Sequence, residues 1–290
     1  MTLEECRRFF AEEIRLTAPV QSSALVEAFG RVPREQFLGP GPWEIASADK
    51  RGLSALGVAQ MSYMSIDDPR QLYHNVVVVL DKAADINNGQ PSALACWIDA
   101  MDLKSGERAY HLGCGVGYYT AIMAEVVGPE GAVTGSEVRA DLAARARQNL
   151  HGYPNMTVHV GDGAVFDPGT CDAMLINAGV THPSRLWLDR LRDGGRLIVP
   201  LTMAMSSTLG VGFMTKMVRH DDKFSFAIVT SIAIYSCTSM RDKEREPLLK
   251  AAMIRGGFTK IKSVRRDAHE PTDDCVVHGA DVCLSSSTIA

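Results

Sequence analysis

The sequence has no Cys-x-x-Cys pair, and its seven cysteines, at 6, 96, 114, 171, 237, 275 and 283, are odd in number. Neither a disulfide framework nor a zinc knuckle is indicated, and a reducing, cytoplasmic setting is the expectation. No spacing of His, Cys, Asp and Glu suggests a metal ion, so none is expected. Charge of one sign is also missing. The net charge is −4, and the basic cluster Arg241–Lys243–Arg245 is broken by acids, which reads as a solvated helix face. Nucleic acid and anionic membrane are therefore not expected as partners. The longest apolar run, Phe226–Cys237, is about half a membrane span and contains Thr and Ser. MTLEECRRFFAEEI reads as a charged amphipathic helix without a signal-peptide core. There is no internal repeat, and no linker long enough to split the 290 residues.

What is present is organised around AYHLGCGVGYYTAIMAEVVGPEGAVTGSEV, residues 109–137. It reads as a strand (Ala109–Leu112), a turn with Gly113, Gly115 and Gly117, a helix (Tyr118–Val127) and a second strand ending at Glu137. In such a βαβ unit the glycines free the backbone to approach a ligand, and the helix N-terminus faces it. Glu137, 24 residues after Gly113, falls where a carboxylate meets the ribose hydroxyls of an adenosine ligand. The dinucleotide fingerprint wants a small residue three positions after the second glycine. Tyr118 stands there, and the third glycine comes early, at Gly117. That pattern suits S-adenosylmethionine, which has no pyrophosphate, better than NAD.

Around this centre the elements alternate. Residues 1–46 read as helices, with Arg31-Val-Pro-Arg-Glu-Gln-Phe37 as a turn and anchor. Residues 47–72, with Met61, Tyr63 and Met64, read as an irregular loop or lid. Tyr73–Leu80 is β-rich, Asp85–Gln90 is a polar loop, and Pro91 opens a helix to Met101. After Glu137 come a helix (Asp141–Leu150), a strand (Met156–Val160) ending in Gly161-Asp162-Gly163, and a strand (Asp172–Asn177). A helix (Pro183–Leu191), a tight turn at 193–196 and Leu197–Leu201 follow. The alternation predicts an α/β fold: a mostly parallel central sheet with helices on both faces. Gly210–Val218 and Phe224–Tyr235 read as an antiparallel hairpin at the sheet edge. A helix (Glu244–Arg255), a short strand (Thr259–Arg266) and a final strand (Asp281–Ser285) close the chain. Gly113–Gly117, Glu137, Asp162 and Asn177 all fall at strand carboxyl ends, where ligands of such sheets bind. The expected organisation is a helical and lid extension (1–90), a donor-binding domain (91–236) and an α/β extension (237–290).

HLGCGVGYYTAIMAEVVG, Glu137, ADLAARARQNL, GDG, DAMLINAGV and LRDGGRLIVPL, in that order and spacing, resemble the protein-L-isoaspartate O-methyltransferase family, as does RVPREQF. The resemblance covers roughly residues 20–235. It implies a Rossmann-like class I methyltransferase fold that binds S-adenosyl-L-methionine. By that resemblance Gly113, Gly115 and Gly117 pass the methionine end and Glu137 takes the ribose. Asp162 and Gly163 flank the adenine, while Asn177 and Ala178 line the floor under the transferred methyl. The family's Ile-Ser-x-Pro loop is Asn88-Gly89-Gln90-Pro91 here, with Gly89 in place of the Ser that meets the isoaspartyl carboxylate. His111 replaces the acid common two residues before the first glycine.

These readings set the chemistry to expect. A carboxylate is already ionised near pH 7, so its methylation needs alignment and exclusion of water rather than a base. A hydroxyl or amine acceptor would recruit a base, typically His or Glu. Asn88, Gly89 and Gln90 are the candidate substrate loop. His111 is a candidate contact to the methionine end, or a group that changes charge near neutral pH. Tyr118 and Tyr119 open the helix over the cofactor, one packing and one meeting the ligand. Cys114 reads as a small residue filling a tight turn. The expected activity is methyl transfer to a carboxylate of a peptide or protein. The alternatives are a small-molecule or natural-product acceptor on the same fold, and a cofactor-binding protein without turnover.

Overall fold

The computed structural model describes residues 1–46 and 63–289. The chain forms two compact units, Met1–Gly106 with Cys114–Val160, and Glu107–Gly113 with Gly161–Ala290. The lid reading of 47–72 lies outside the described residues as far as position 62, Met61 included.

In the first unit, Leu3–Thr17 starts with a capping box in which Thr2 and Glu5 satisfy each other's backbone N–H groups. Ser22 caps Ser23–Arg31 by accepting from the Leu25 amide. RVPREQF is not only a turn: Arg34–Leu38 is a short helix behind Pro33, whose fixed φ suits a helix start. Arg34 is completely buried. Its guanidinium donates to the carbonyl oxygens of Leu72 (2.6 Å), His74 (3.0 Å) and Val76 (2.9 Å). It also lies over the rings of Phe10 and Tyr118, at 5.6 and 5.9 Å. The anchor is thus a buried cation neutralised by carbonyl dipoles and ring faces.

The reading of 1–46 as all helical is corrected by β1 (Trp43–Ala46), which pairs antiparallel with β2 (Tyr63–Ile66) and β3 (Val77–Asp81). With β4 (Ile86–Asn87) these make a four-stranded sheet in the order β2-β1-β3-β4. Four residues are too few to show a period in sequence. Helix Pro91–Met101 begins at its proline as expected. Helix Tyr118–Val127 lies between Gly117 and Gly128, both at positive φ. β6 (Ala132–Glu137) pairs parallel with β7 (Met156–Val160), and Ala140–Asn149 is helical.

In the second unit, β5 (Arg108–Leu112), β8 (Cys171–Ile176) and β9 (Leu191–Ala204) run parallel. Ala173–Ile176 and Leu197–Val199 have no exposure, the near-continuous apolar reading of strands covered on both faces. The tight turn expected at 193–196 is a break within β9. Cys171 faces Leu191 and Ala173 faces Arg196, so Arg192–Gly195 is looped out, with Gly194 at φ +72°.

β10 (Leu209–His220) and β11 (Lys223–Tyr235) form the expected antiparallel hairpin. The sheet continues past it through β12 (Ser263–Arg265), β14 (Cys283–Ser285) and β13 (Cys275–Val277). The unit is therefore a mixed sheet, with a longer antiparallel part than the alternation predicted. Its core gathers Tyr110, Trp187, Leu197, Phe224 and Phe258, each at most 1% exposed. Full burial of such a side chain is worth about 1.5–3 kcal/mol.

Candidate functional site

The glycine turn holds three backbone conformations that L side chains rarely adopt: Gly113, Gly115 and Gly117 have φ of +75°, +56° and +90°. A Cβ on Gly117 would lie 2.8 Å from Leu150 Cδ1, whereas one on Gly115 would meet nothing within 4 Å. The turn is closed on one side and open in front of Gly115. Gly117 is also the N-cap of the next helix and carries no capping side chain. The first-turn N–H groups therefore have no side-chain acceptor at the cap.

In the first unit Glu137 is 7% exposed and already oriented. Its Oε2 accepts from the Gly115 amide at 2.9 Å and its Oε1 from the Arg139 amide at 3.0 Å. A carboxylate has about four lone-pair sites, so it retains acceptor capacity for hydroxyls. The reading of Glu137 as a cap for the following turn and the reading as a ligand carboxylate are thus compatible. The Arg139 guanidinium spans Asp81 (2.8 Å) and Asp141 (2.7 Å), which sequence reasoning missed. The signal available was a basic residue two positions after the acid. Burial, with the nearby Glu137 charge, pushes the Cys114 thiol far up, so it stays protonated. Its Sγ would lie 3.1 Å from a Cβ on Gly135, as expected of a filler in a tight turn.

The candidate substrate loop, Asn88, Gly89 and Gln90, belongs to the same unit. The Gly89 amide donates to Asn87 Oδ1 at 2.9 Å, an Asx turn, and Gly89 has φ +76°. Asn88 is 7% exposed, and its Nδ2 is buried without a hydrogen-bond partner among the described residues. It is an unspent donor. Gln90 Nε2 donates to Ser92 Oγ (3.2 Å), and Asn75 exchanges two bonds with Ser92, at 2.9 and 3.0 Å. Asn75 left no signal in sequence, being 17 residues away. The two tyrosines are both buried but have different partners. Tyr118, expected among the cofactor contacts, is 1% exposed, and its ring packs against Phe37 (5.6 Å) and Tyr119 (4.9 Å). Tyr119 instead donates its hydroxyl to the Gly89 carbonyl at 3.4 Å.

The remaining candidates lie in the second unit. Asn177 donates its amide to the Leu112 carbonyl (2.9 Å) and its Nδ2 to the Gly113 carbonyl (3.4 Å). A Cβ on Gly113 would come within 3.2 Å of the Asn177 carbonyl. Asp162 Oδ1 accepts from the Ala164 amide at 2.9 Å. The Gly163 carbonyl receives Tyr110 Oη (3.0 Å) and Trp187 Nε1 (3.4 Å). Ala178 packs on the core. His111 is 1% exposed, and burial lowers its pKa to about 4. The expected charge change near neutral pH is therefore corrected, because the ring is neutral there. The expectation of no metal ion rests on spacing along the sequence, which does not reveal side chains assembled in space. His269, Cys275, His278 and Cys283 bring one ligand atom each to within 4.8 Å of one another.

Comparison with known proteins decides the family. The model of protein-L-isoaspartate(D-aspartate) O-methyltransferase matches residues 56–238, well over half of the chain. The chain belongs to this family. Among curated members, the Ignicoccus hospitalis protein-L-isoaspartate O-methyltransferase is 29% identical over 207 residues, covering 69% of this chain and 83% of the relative. The Syntrophus aciditrophicus one is 36% identical over 186 residues, covering 63% and 71%. A solved protein-L-isoaspartate O-methyltransferase superposes with TM-score 0.64 at 22% identity, over 79% of this chain and 65% of the other. A Plasmodium falciparum structure of the same class, in complex with S-adenosyl-L-homocysteine, gives 0.57 at 15%, over 80% and 97%. These two likenesses establish the Rossmann-like methyltransferase fold. As a member of the O-methyltransferase family, the chain is an enzyme that uses S-adenosyl-L-methionine as methyl donor.

Proposed function

We propose that this O-methyltransferase esterifies a carboxylate of a peptide or protein, aspartyl or isoaspartyl. The observation that carries the reading is the uncharged substrate loop. Asn88, Gly89, Gln90 and Ser92 offer amides and hydroxyls, and none is a general base. Burial raises the Tyr119 hydroxyl far above its usual range, so it donates and does not abstract protons. A carboxylate needs no base, whereas a hydroxyl or amine acceptor would recruit one.

S-adenosyl-L-methionine, when bound, supplies an electrophilic methyl group. The chain's own work is binding, orientation and exclusion of water. In this reading Gly113, Gly115 and Gly117 run along the methionine end, and Glu137 accepts from the ribose. Asp162 and Gly163 flank the adenine, His111 stays neutral beside the methionine end, and Asn177 and Ala178 form the floor. Asn88 Nδ2 is the donor that orients the acceptor carboxylate, with Gly89 and Gln90 shaping the loop around it. Residues 91–236 carry donor binding. The setting proposed is cytoplasmic, supported by seven unpaired cysteines. Among the described residues no helix is long and apolar enough to cross a membrane.

A second reading, a modified peptide or small-molecule acceptor, is favoured by Gly89. A Cβ there would lie 2.8 Å from Leu94 Cδ2 on a left-handed backbone, so the loop is not shaped for a serine. Methyl transfer from labelled donor to an isoaspartyl peptide and its aspartyl counterpart separates the readings. Base-labile label on one of the two peptides supports the first. Donor binding without peptide label would move the acceptor to the second.

A further inference from the structure

We propose that His269, Cys275, His278 and Cys283 form a structural site for a zinc-type divalent ion, independent of the methyl-transfer reading. Two thiolates and two imidazoles are the donor set of closed tetrahedral zinc sites, with all four positions taken by protein. The ligand atoms all lie within 4.8 Å of one another, and Cys275 Sγ and His269 Nε2 are 3.4 Å apart. A tetrahedron with the usual zinc–sulfur and zinc–nitrogen lengths has edges of about 3.3–3.8 Å, so closing it needs side-chain adjustments and no new backbone path.

The surroundings are those of metal ligands. His269 Nδ1 is 2.8 Å from the Asp267 carbonyl oxygen, which can only accept. Nδ1 therefore carries the proton, and the Nε2 lone pair faces Cys275. The backbone amide of Thr272 donates to Cys275 Sγ at 3.3 Å, and its hydroxyl lies 3.4 Å from the same sulfur, contacts that suit a thiolate ligand. Asp267 is itself held by Arg265, at 2.6 Å. His278 supplies a second, independent sign. Its Nδ1 is buried and has no hydrogen-bond partner among the described residues, a cost that a bound cation would remove. Its ring meets His269 edge to face, with centroids 5.0 Å apart.

The place in the fold explains the use. β12, β13 and β14 are each three residues long, and Cys275 and Cys283 sit on two of them. Strands this short give little stability alone. An ion held by the loop at His269, by β13 and by β14 cross-links this corner, and its binding energy becomes folding energy.

The test uses the full chain, purified reduced, loaded with zinc and desalted, then analysed for metal. One equivalent per chain is expected. Replacement by cobalt should give the d–d absorption and sulfur charge-transfer bands of a tetrahedral thiolate site. Zinc should slow alkylation of Cys275 and Cys283 while leaving Cys96 unaffected. C275S and H278A should each lose the metal, and C96S should keep it. Because cobalt spectra and alkylation are read on the unaltered chain, a misfolded variant leaves the test intact. Metal below about a tenth of an equivalent, with no tetrahedral cobalt bands, would overturn the proposal. So would a Cys275–Cys283 disulfide, seen as two missing thiols in the unreduced protein.

Discussion

The amide of Gly115 donates to Glu137 Oε2 at 2.9 Å, so the turn and the acid are fixed to each other before any ligand arrives. Glu137→Ala removes that bond and the carboxylate together. S-adenosyl-L-methionine binding should weaken about 10- to 100-fold, since hydrogen bonds to a charged group contribute about 1.5–3 kcal/mol. Calorimetric titration checks this, and unchanged affinity would remove Glu137 from the donor site.

Gly117→Ala places a methyl group 2.8 Å from Leu150 Cδ1 at a φ of +90°. The left-handed backbone alone costs about 1–2 kcal/mol. Gly152→Ala is the control, with nothing within 4 Å of its Cβ, and it should stay within about 0.5 kcal/mol of the parent. Urea midpoints of the two variants give the comparison. Equal midpoints would show that the turn tolerates a side chain.

Restoring the family's serine by Gly89→Ser should not restore the family's loop. The φ of +76° and the 2.8 Å approach to Leu94 predict a loss of about 1–2 kcal/mol and no rise in isoaspartyl methylation. A gain in peptide methylation would mean that the loop rearranges around the new side chain.

His111 gives stability a pH dependence with a definite sign. Burial lowers its folded pKa to about 4 from 6.5. Between those values the unfolded chain takes up a proton that the folded chain refuses, so this contribution is complete above pH 6.5 and is lost as pH falls towards 4. The change is on the order of 3 kcal/mol. His182, also lowered to about 4 chiefly by burial, adds acid sensitivity that persists in both proteins compared. Urea midpoints between pH 7 and 4.5 should converge for His111→Asn and the parent as pH falls. Parallel curves would refute the burial argument.

The centre of the fold was legible because its signals are local. Helix Tyr118–Val127 has a glycine at each end, Pro91 opens its helix, and β6 stops at Glu137. What escaped depends on contacts between distant segments. β1 is four residues long and is a strand because β2 and β3 flank it. The Asn75–Ser92 pair joins a loop to a helix start. Tyr118 could not be separated from Tyr119 until Phe29 and Phe37 were seen around it. The Cys/His group had one local trace, the Cys275-Val-Val-His278 spacing, but its other two members stand on a loop and on a neighbouring strand.

Arg34 ties the N-terminal helices to the backbone at 72–76 through three carbonyl oxygens, those of Leu72, His74 and Val76. Opening of 72–76 alone would leave the buried Arg34 guanidinium without its three carbonyl partners, which is costly. The two should therefore behave as a single cooperative unit in native-state hydrogen exchange, with amides in both reporting one common opening energy. A guanidinium, with its fork of donors, thus sets the extent of one cooperative piece of this protein.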